Sequence, residues 1–177
     1  MRKVVLSMFL SLDGVAEAAD EFIPGWDDVV DAYGAGTIAT QDAVIMGRRS
    51  YDEFVEFWPT SDIEPFATFV NKVPKYVATS TPLARPWNNS TVVEGGLVEF
   101  VQDLKNSSGG DIGVHFSISV AQALLAAGVI DELRLAIAPV VVGRGRRLLD
   151  GLPPVRFEAV SGVTTPSGFL LADYRLA

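Results

Sequence analysis

The chain contains no cysteine and a single histidine, His115. Without cysteine there is no disulfide, no thiol nucleophile and no thiolate metal site. One histidine leaves one candidate base for a Ser-His-Asp triad and too few ligands for a multi-histidine metal centre. We therefore expect neither a metal site nor cysteine-dependent catalysis.

Basic residues are also scarce. The 177 residues include 14 Lys and Arg against 22 Asp and Glu, which gives a net charge of −8. Nucleic acids need a basic surface, so we expect no nucleic-acid partner. There is no apolar run long enough to span a bilayer and no signal-peptide pattern at the start. The expectation is a cytoplasmic protein with no membrane partner.

Hydrophobic residues make up 49% of the chain, enough for a real core in a single domain over residues 1–177. Apolar runs predict strands at 4–10, 43–47, 74–79, 90–93 and 111–115, with helical spacing in between. Ser119 to Gln122 reads as a capping box that starts the last helix. From Ile130 onward only strands are predicted. This order predicts a three-layer α/β fold, with a mostly parallel central sheet, an antiparallel C-terminal hairpin and helices on both faces.

One predicted strand runs directly into Gly47, Arg48, Arg49 and Ser50, and helical spacing begins at Tyr51. The first turn of a helix presents free N–H groups and the positive end of its dipole. Two arginines add charge and planar donors that suit phosphate. The junction therefore predicts an anion site, while a plain turn with two solvated arginines stays open as the alternative.

Polar clusters follow other predicted strands as well, at residues 11–14, 79–81 and 115–119. In open α/β sheets, ligands bind beyond the carboxyl ends of the strands. Several such clusters at one edge suit an elongated ligand with more than one phosphate, and a nucleotide is the obvious candidate.

Three segments carry a resemblance to known families. Val-Ile-Met-Gly-Arg-Arg-Ser-Tyr at 44–51 resembles the cofactor motif of dihydrofolate reductases. Ser-Leu-Asp-Gly at 11–14 is similar to the reductase domain of the bifunctional riboflavin-biosynthesis deaminase-reductase. Residues 122–145 complete the pattern of the small single-domain members of that superfamily. The resemblance covers essentially the whole chain and implies a dihydrofolate reductase-like fold.

The resemblance also implies NADPH as cofactor. On this basis the arginines favour its 2′-phosphate, the hydroxyls after the third strand lie beside that phosphate, and the turn after the fifth strand meets the pyrophosphate and nicotinamide. The residues so assigned are Gly47, Arg48, Arg49, Ser50, Thr79, Ser80, His115, Phe116, Ser117, Ile118 and Ser119.

Phe116 departs from the family pattern, which has glycine just after that strand. Glycine lets the backbone approach a ligand closely and adopt positive φ, whereas phenylalanine adds a ring and resists positive φ. Two outcomes are open. Either the ring turns into the core and the backbone relaxes, or the ring partly fills the cofactor site.

Asp31 and Asp13 are the catalytic candidates. Asp31 precedes Gly47 at an offset similar to that of the substrate-binding acid of dihydrofolate reductases. On a helical wheel, however, it falls away from the apolar face that includes Trp26, as a solvated acid would. Asp13 either donates a proton or organises the turn after the first strand. His115 at a strand end is interpreted as a packing histidine rather than a base, since the sequence shows no partner for it.

By resemblance, we expect an NADPH-dependent reductase of a small heterocyclic substrate, similar to 5-amino-6-(5-phosphoribosylamino)uracil reductase of riboflavin biosynthesis. The chain has no cysteine for the zinc signature of the deaminase. Two alternatives stay open: a dihydrofolate or pteridine reductase, and a non-catalytic nucleotide-binding dimer whose cofactor site is altered by Phe116. The family implies a homodimer.

Overall fold

A computed structural model describes residues 1–23 and 25–177 of the chain. Its strands are β1 Val4–Leu10, β2 Gln41–Gly47, β3 Lys75–Ala78, β4 Ser90–Val92, β5 Asp111–His115, β6 Glu132–Ile137, β7 Phe157–Thr164 and β8 Leu170–Leu176. Its α-helices are α1 Ala19–Phe22, α2 Asp28–Ile38, α3 Arg48–Phe57, α4 Phe66–Lys72, α5 Leu97–Asn106 and α6 Ile118–Ala126. A short 3-10 turn, Trp58–Thr60, joins α3 to the segment before α4.

The strands form one sheet in the order β4-β3-β2-β5-β1-β6-β8-β7. Neighbours from β4 to β6 pair in parallel, while β8 pairs antiparallel with both β6 and β7. The predicted parallel sheet with an antiparallel C-terminal hairpin is confirmed. Because β2, β5 and β1 are parallel neighbours, their carboxyl ends meet at one edge of the sheet.

Helices cover both faces of the sheet, as predicted. On one face, Leu6 and Met8 of β1 pack with Leu124 of α6. On the other face, Val44 of β2 packs with Val70 of α4. Alternation along the strands sends successive side chains to opposite faces, so hydrophobic clusters flank the sheet on both sides and the architecture has three layers.

Two helices begin earlier than predicted. Helix α3 starts at Arg48, directly after Gly47. Helix α6 starts at Ile118, with Ser117 at the N-cap position, so the predicted capping box from Ser119 to Gln122 is wrong. The hydroxyl of Ser119 instead accepts a hydrogen bond from Arg146, a residue of the loop after β6. A contact 27 positions away in sequence has replaced the local one.

The C-terminal hairpin leaves β7 at the edge of the sheet, and nearly all of its side chains are exposed. Val160 and Val163 are 62% and 50% exposed. An exposed edge strand presents unpaired backbone groups to any partner that can add a strand. None of the helices in the described part of the chain is both long and apolar enough to cross a membrane.

Candidate functional site

The turn after β2 and the turn after β5 form one continuous site. The hydroxyl of Ser117 accepts a hydrogen bond from the backbone N–H of Gly47 (3.1 Å) and donates one to Ser50 Oγ (2.8 Å). Ser50 Oγ donates in turn to the carbonyl of Phe116 (3.1 Å). The start of α3 and the β5–α6 turn, which are 66 to 70 positions apart in sequence, are thereby fixed against each other.

Arg48 connects this site to the hydroxyl cluster after β3. Its Nε donates to both carboxylate oxygens of Asp52 (2.9 and 2.8 Å), one helical turn along α3. Its Nη1 donates to Thr81 Oγ1 (2.8 Å), and the N–H of Thr81 donates to Thr79 Oγ1 (3.1 Å). We call Arg48, Arg49 and residues 79–81 the arginine corner.

Two open clefts lie at the arginine corner. The first, of about 580 Å³, is lined by Arg48, Arg49, Asp52, Glu53 and Glu56. The second, of about 390 Å³, is lined by Ala78, Thr79, Ser80, Val93, Gly95 and Leu97. Both are open to solvent, and Ser80 is exposed at the second.

Arg49 has two carboxylate partners of its own. Its Nη1 lies 3.0 Å from Glu17 and its Nε 3.1 Å from Glu53. Glu17 also accepts a hydrogen bond from the backbone N–H of Arg146 (3.1 Å), and this bond together with Arg49 lowers the pKa of the Glu17 carboxyl. Glu17 was not among the predicted site residues, because no local pattern relates it to a position 32 residues away.

Phe116 meets the first of the two predicted outcomes only in part. Its ring turns into the protein, 6.1 Å from the ring of Phe9 and nearly parallel to it at 12°, and 5.7 Å from the ring of Phe54. The backbone does not relax, since φ is 55°. The left-handed conformation costs a non-glycine residue roughly 1–2 kcal/mol, so the packing of the ring must offset that strain.

Phe116 belongs to a connected set of rings on the α2–α3 side of the sheet. Phe9 contacts Trp26 with 5.1 Å between centroids, and Phe116 contacts Phe66 at 6.2 Å. We call the rings of Phe9, Trp26, Phe54, Phe66, Phe116 and Phe169 the aromatic patch. Most are half-buried, Phe169 is fully buried, and Trp26 is 48% exposed. Sequence reasoning missed this patch as a unit because its members come from six separate segments.

The side chain of His115 lies beneath the patch and is buried. Its Nε2 is 2.7 Å from Gln41 Oε1, and its ring contacts Phe66 at 5.4 Å. Burial lowers the pKa of His115 to about 4, so the imidazole is neutral near pH 7. The geometry supports the packing role.

Ile118 and Ser119, the remaining residues assigned to this turn, point in different directions. The side chain of Ile118 belongs to the buried core. Ser119 is exposed in the first turn of α6, where its hydroxyl binds Arg146 Nη2 at 2.9 Å. Of the two, Ser119 is the one placed to contact a ligand through its side chain.

Asp13 has a structural role. Its carboxylate accepts hydrogen bonds from Ser11 Oγ (2.7 Å) and from the backbone N–H groups of Val142 (3.0 Å) and Gly143 (2.8 Å). These bonds, the Ser11 hydroxyl first, hold the pKa of Asp13 well below its usual range. These contacts support a role for Asp13 in organising the turn after β1, while a role as proton donor stays a prediction.

Asp31 lies in α2, is exposed, and accepts a hydrogen bond from the indole N–H of Trp26. The expectation that Asp31 points away from Trp26 is wrong, because α2 begins at Asp28 and helical spacing does not govern the position of Trp26. The carboxylate of Asp31 therefore sits beside the exposed end of the aromatic patch. It is the acid best placed to hold a proton or an N–H group of a ligand there.

No group of three or more His, Asp or Glu side chains in residues 1–23 and 25–177 is placed to bind a metal ion. The chemistry that this arrangement can perform is recognition: charge and hydroxyls at the arginine corner, and a flat apolar surface with one carboxylate at the aromatic patch. The two regions meet at Ser50, Phe116 and Ser117.

The chain is similar to several known proteins. A protein of Bacillus subtilis, described as "Uncharacterized protein YyaP", is 26% identical and aligns over 98% of this chain and 94% of its own length. A putative riboflavin biosynthesis protein from Shewanella sp. PV-4 superposes with a TM-score of 0.76 at 20% identity, covering 99% of both chains. Dihydrofolate reductase from Enterococcus faecalis, solved with NADP(H), superposes with a TM-score of 0.67 at 14% identity, covering 98% of this chain and 96% of the other.

The two structural matches establish the dihydrofolate reductase-like fold, which is what identities at this level can show. The family model described as RibD C-terminal domain matches residues 2–171, nearly the entire chain. The resemblance stated from the residues at 11–14 and 44–51 is therefore confirmed at the level of family. This chain belongs to the RibD C-terminal domain family and has the reductase-like fold of that family.

Proposed function

We propose that this protein is an NADPH-dependent reductase of a small heterocyclic substrate. The observation that carries the proposal is the continuity of the site, which runs from Arg48 and Thr79 to Phe116 at the carboxyl ends of neighbouring parallel strands. Membership in the RibD C-terminal domain family supports it. The reaction that the resemblance names is reduction of 5-amino-6-(5-phosphoribosylamino)uracil, in the cytoplasm, where NADPH is supplied.

The residues at the arginine corner fit the phosphate-bearing part of NADPH. Arg48 donates to the hydroxyl of Thr81, and the N–H of Thr81 donates to the hydroxyl of Thr79, so a guanidinium and hydroxyls are together where a 2′-phosphate would bind. The N–H groups of Arg49 and Ser50 belong to the first turn of α3 and have no partner within the helix. The N–H of Gly47 is already bonded to Ser117, so Gly47 would contribute only close approach of its backbone.

NADPH supplies a hydride when bound, and the protein provides position and a proton. Ser50 and Ser117 hold the two strand ends together, which fixes the distance between the arginine corner and the aromatic patch. The aromatic patch excludes water and offers flat faces to a planar ring. Asp31 is the residue that would hold a substrate proton, since the carboxylate of Asp13 is committed to the turn after β1.

Fluorescence titration with NADPH tests the cofactor. Saturable binding in the micromolar range, with weaker binding of NADH, is the expected result. An absence of saturable binding below the millimolar range would exclude the reductase. Consumption of NADPH with a panel of pyrimidine and pteridine compounds then tests the substrate class and includes the dihydrofolate alternative, which the Trp26–Asp31 contact favours.

A second candidate function, a non-catalytic nucleotide-binding protein, is favoured by Phe116. A ring and a left-handed backbone stand where the family pattern has glycine, which reduces the room for the nicotinamide end of a cofactor. Binding of NADPH at the arginine corner without its consumption by any compound in the panel would support this alternative.

We further propose a homodimer, which the exposed edge strand β7 supports. Val160 and Val163 give this strand an apolar surface, and a second copy could cover it. Light scattering coupled to size exclusion should give twice the mass of the 19.0 kDa chain. Val160→Lys should shift the mass to that of the monomer, and a monomeric wild-type protein would refute the proposal.

A further inference from the structure

Lys75, the first residue of β3, is fully buried, with 0% of its surface exposed. Removing an ammonium group from water costs free energy unless other groups solvate it. Burial lowers the pKa of Lys75 to about 8, so the side chain still carries its charge near pH 7. In the described part of the chain no carboxylate forms an ion pair with it, so other groups must hold the charge.

The ammonium group of Lys75 completes the C-terminal end of α4. Its Nζ donates hydrogen bonds to the carbonyl oxygens of Val70 (2.8 Å) and Val73 (2.9 Å). In a continuing helix the carbonyl of Val70 would accept from the N–H of residue 74, but that residue is a proline and has none. Lys75 therefore supplies a donor that the sequence of α4 lacks, at the helix end where cations are favoured.

The ring of Trp87 lies over the same ammonium group. Lys75 Nζ is 4.6 Å from the centroid of the indole, which is a cation–π contact. The indole N–H donates to Asn71 Oδ1 (2.8 Å), and the amide of Asn71 donates to the carbonyls of Ala67 and Trp58 (2.8 Å each). Lys75 and Asn71 together fix the position of a tryptophan that is itself buried.

Trp87 belongs to the loop between β3 and β4, residues 79–89, which contributes to the arginine corner. Toward the other end of this loop, Thr81 Oγ1 accepts a hydrogen bond from Arg48 Nη1 (2.8 Å). Lys75 itself lies outside both clefts of the arginine corner. The buried ammonium group and the corner are therefore connected through a single loop.

We propose that Lys75 is a positioning residue for the arginine corner. Its ammonium group holds Trp87, Trp87 holds the β3–β4 loop, and the loop keeps the hydroxyl of Thr81 beside the guanidinium of Arg48. This inference rests on the proposed function, since a residue that lies outside the clefts then helps to set the preference for NADPH over NADH.

Fluorescence titration of the full-length Lys75→Met variant with NADPH and NADH tests the proposal. Methionine keeps an unbranched side chain but has neither the charge nor the donor. NADPH affinity should fall about three- to tenfold and NADH affinity less than about twofold, because only NADPH has the 2′-phosphate. The loss should stay partial, since Tyr51 also holds this loop by donating to the carbonyl of Arg85 (2.8 Å). Unchanged affinities, or equal losses for the two cofactors, would overturn the proposal.

Lys72→Met is the matched control, because Lys72 is an exposed lysine in the last turn of α4. It should change neither affinity by more than about twofold. Trp87→Leu should reproduce the selective loss of NADPH affinity, and it tests the proposal even if Lys75→Met does not fold. The double variant should lose little beyond either single one, because both act through one contact. Additive losses would show that Lys75 and Trp87 act independently, and the proposal would fail.

Hydrogen exchange of residues 79–89 without cofactor separates this inference from the proposed function. The loop should exchange faster in Lys75→Met than in the wild type and in Lys72→Met. Faster exchange in a protein whose wild type does not bind NADPH would refute the reductase, and with it the effect on cofactor preference, and would leave Lys75 as an anchor of the loop. Binding of NADPH with wild-type exchange and wild-type preference in Lys75→Met would refute the role of Lys75 and leave the reductase standing.

Discussion

The arginine corner and the aromatic patch adjoin each other at Ser50 and Ser117, yet different interactions stabilise them. The corner is polar and largely exposed, and its Arg49–Glu53 ion pair links side chains that are both more than 60% exposed. The patch consists of half-buried rings above the buried, neutral His115. Exposed ion pairs are screened by water and salt, whereas packed rings act only at short range and depend on shape.

Because of this difference, we expect ligand affinity to depend on different kinds of change in the two regions. At the corner, carboxylates already occupy the arginines, so a phosphate exchanges one anionic partner for another and the gain is modest unless several donors act together. At the patch, a ligand replaces no ionic partner, because the rings pack only on one another. Phe116 keeps its ring there although its backbone lies in the left-handed region. We expect ligand affinity to respond to charge at the corner and to volume at the patch.

The largest effect should come from Arg48→Ala. Hydrogen bonds to charged groups contribute about 1.5–3 kcal/mol, so NADPH affinity should fall roughly ten- to hundredfold. NADH, which lacks the 2′-phosphate, should lose far less. Fluorescence titration with both cofactors measures the difference, and Arg49→Ala, whose side chain is directed to Glu17 rather than to Thr81, is the comparison variant. Equal losses for the two cofactors would contradict the assignment of Arg48 to the 2′-phosphate.

Phe116→Gly should act in the opposite direction. Removal of the ring opens the turn after β5, and NADPH affinity should rise about tenfold, equivalent to about 1.4 kcal/mol. Phe116→Ala separates the ring from the backbone, because it removes the ring and keeps a Cβ at positive φ. Both variants should bind NADPH more tightly than the wild type. The free energy of unfolding in urea should be about 1 kcal/mol higher for the glycine variant than for the alanine variant, because glycine adopts positive φ without strain. Unchanged affinity in both would show that the ring does not obstruct the cofactor.

The buried His115 beneath the patch should make the free energy of unfolding depend on pH in the acid range. Its pKa is lowered by burial from 6.5 to about 4 in the folded protein. The unfolded state therefore binds more protons between these values, and stability falls as the pH drops through that range, at up to about 1.4 kcal/mol per pH unit.

Urea unfolding at pH 4.5, 5.5 and 6.5 measures this slope in the wild type and in His115→Gln, which cannot titrate there. The variant should show a shallower slope even if it is less stable at every pH. Parallel curves would mean that other groups account for the acid sensitivity.

Glu17→Gln should give the smallest effect. It frees Arg49 from one of its two carboxylates, and an exposed pair of this kind contributes about 0–1 kcal/mol, so NADPH affinity should rise two- to threefold at most. The gain should shrink at high salt. Glu21→Gln, an exposed acid of the same segment, is the control. A loss of affinity on Glu17→Gln would show that the carboxylate positions Arg49 rather than competing for it.

Much of the fold was predictable because it depends on local periodicity. Val4 to Leu10 and the run into Gly47 predict strands from apolar patterning, and both are strands in the structure. The predictions that failed depend on distant partners. Ser119 was predicted to cap the start of a helix, but its hydroxyl accepts a hydrogen bond from Arg146 and the helix begins at Ile118. Asp31 was placed away from Trp26 by a helical wheel that does not extend to residue 26.

The candidate site also has one part that the sequence predicted and one part that it did not. The chain by itself determined the alternation of strands and helices and the glycine–arginine–arginine–serine junction, because such patterns act over a few residues. Only the tertiary structure decided that β2 and β5 are neighbours, that Ser117 closes onto Gly47 and Ser50, and that the ring of Phe116 turns toward Phe9. Those contacts join residues 67 or more positions apart, and the order of strands in a sheet depends on how whole elements pack rather than on any local pattern.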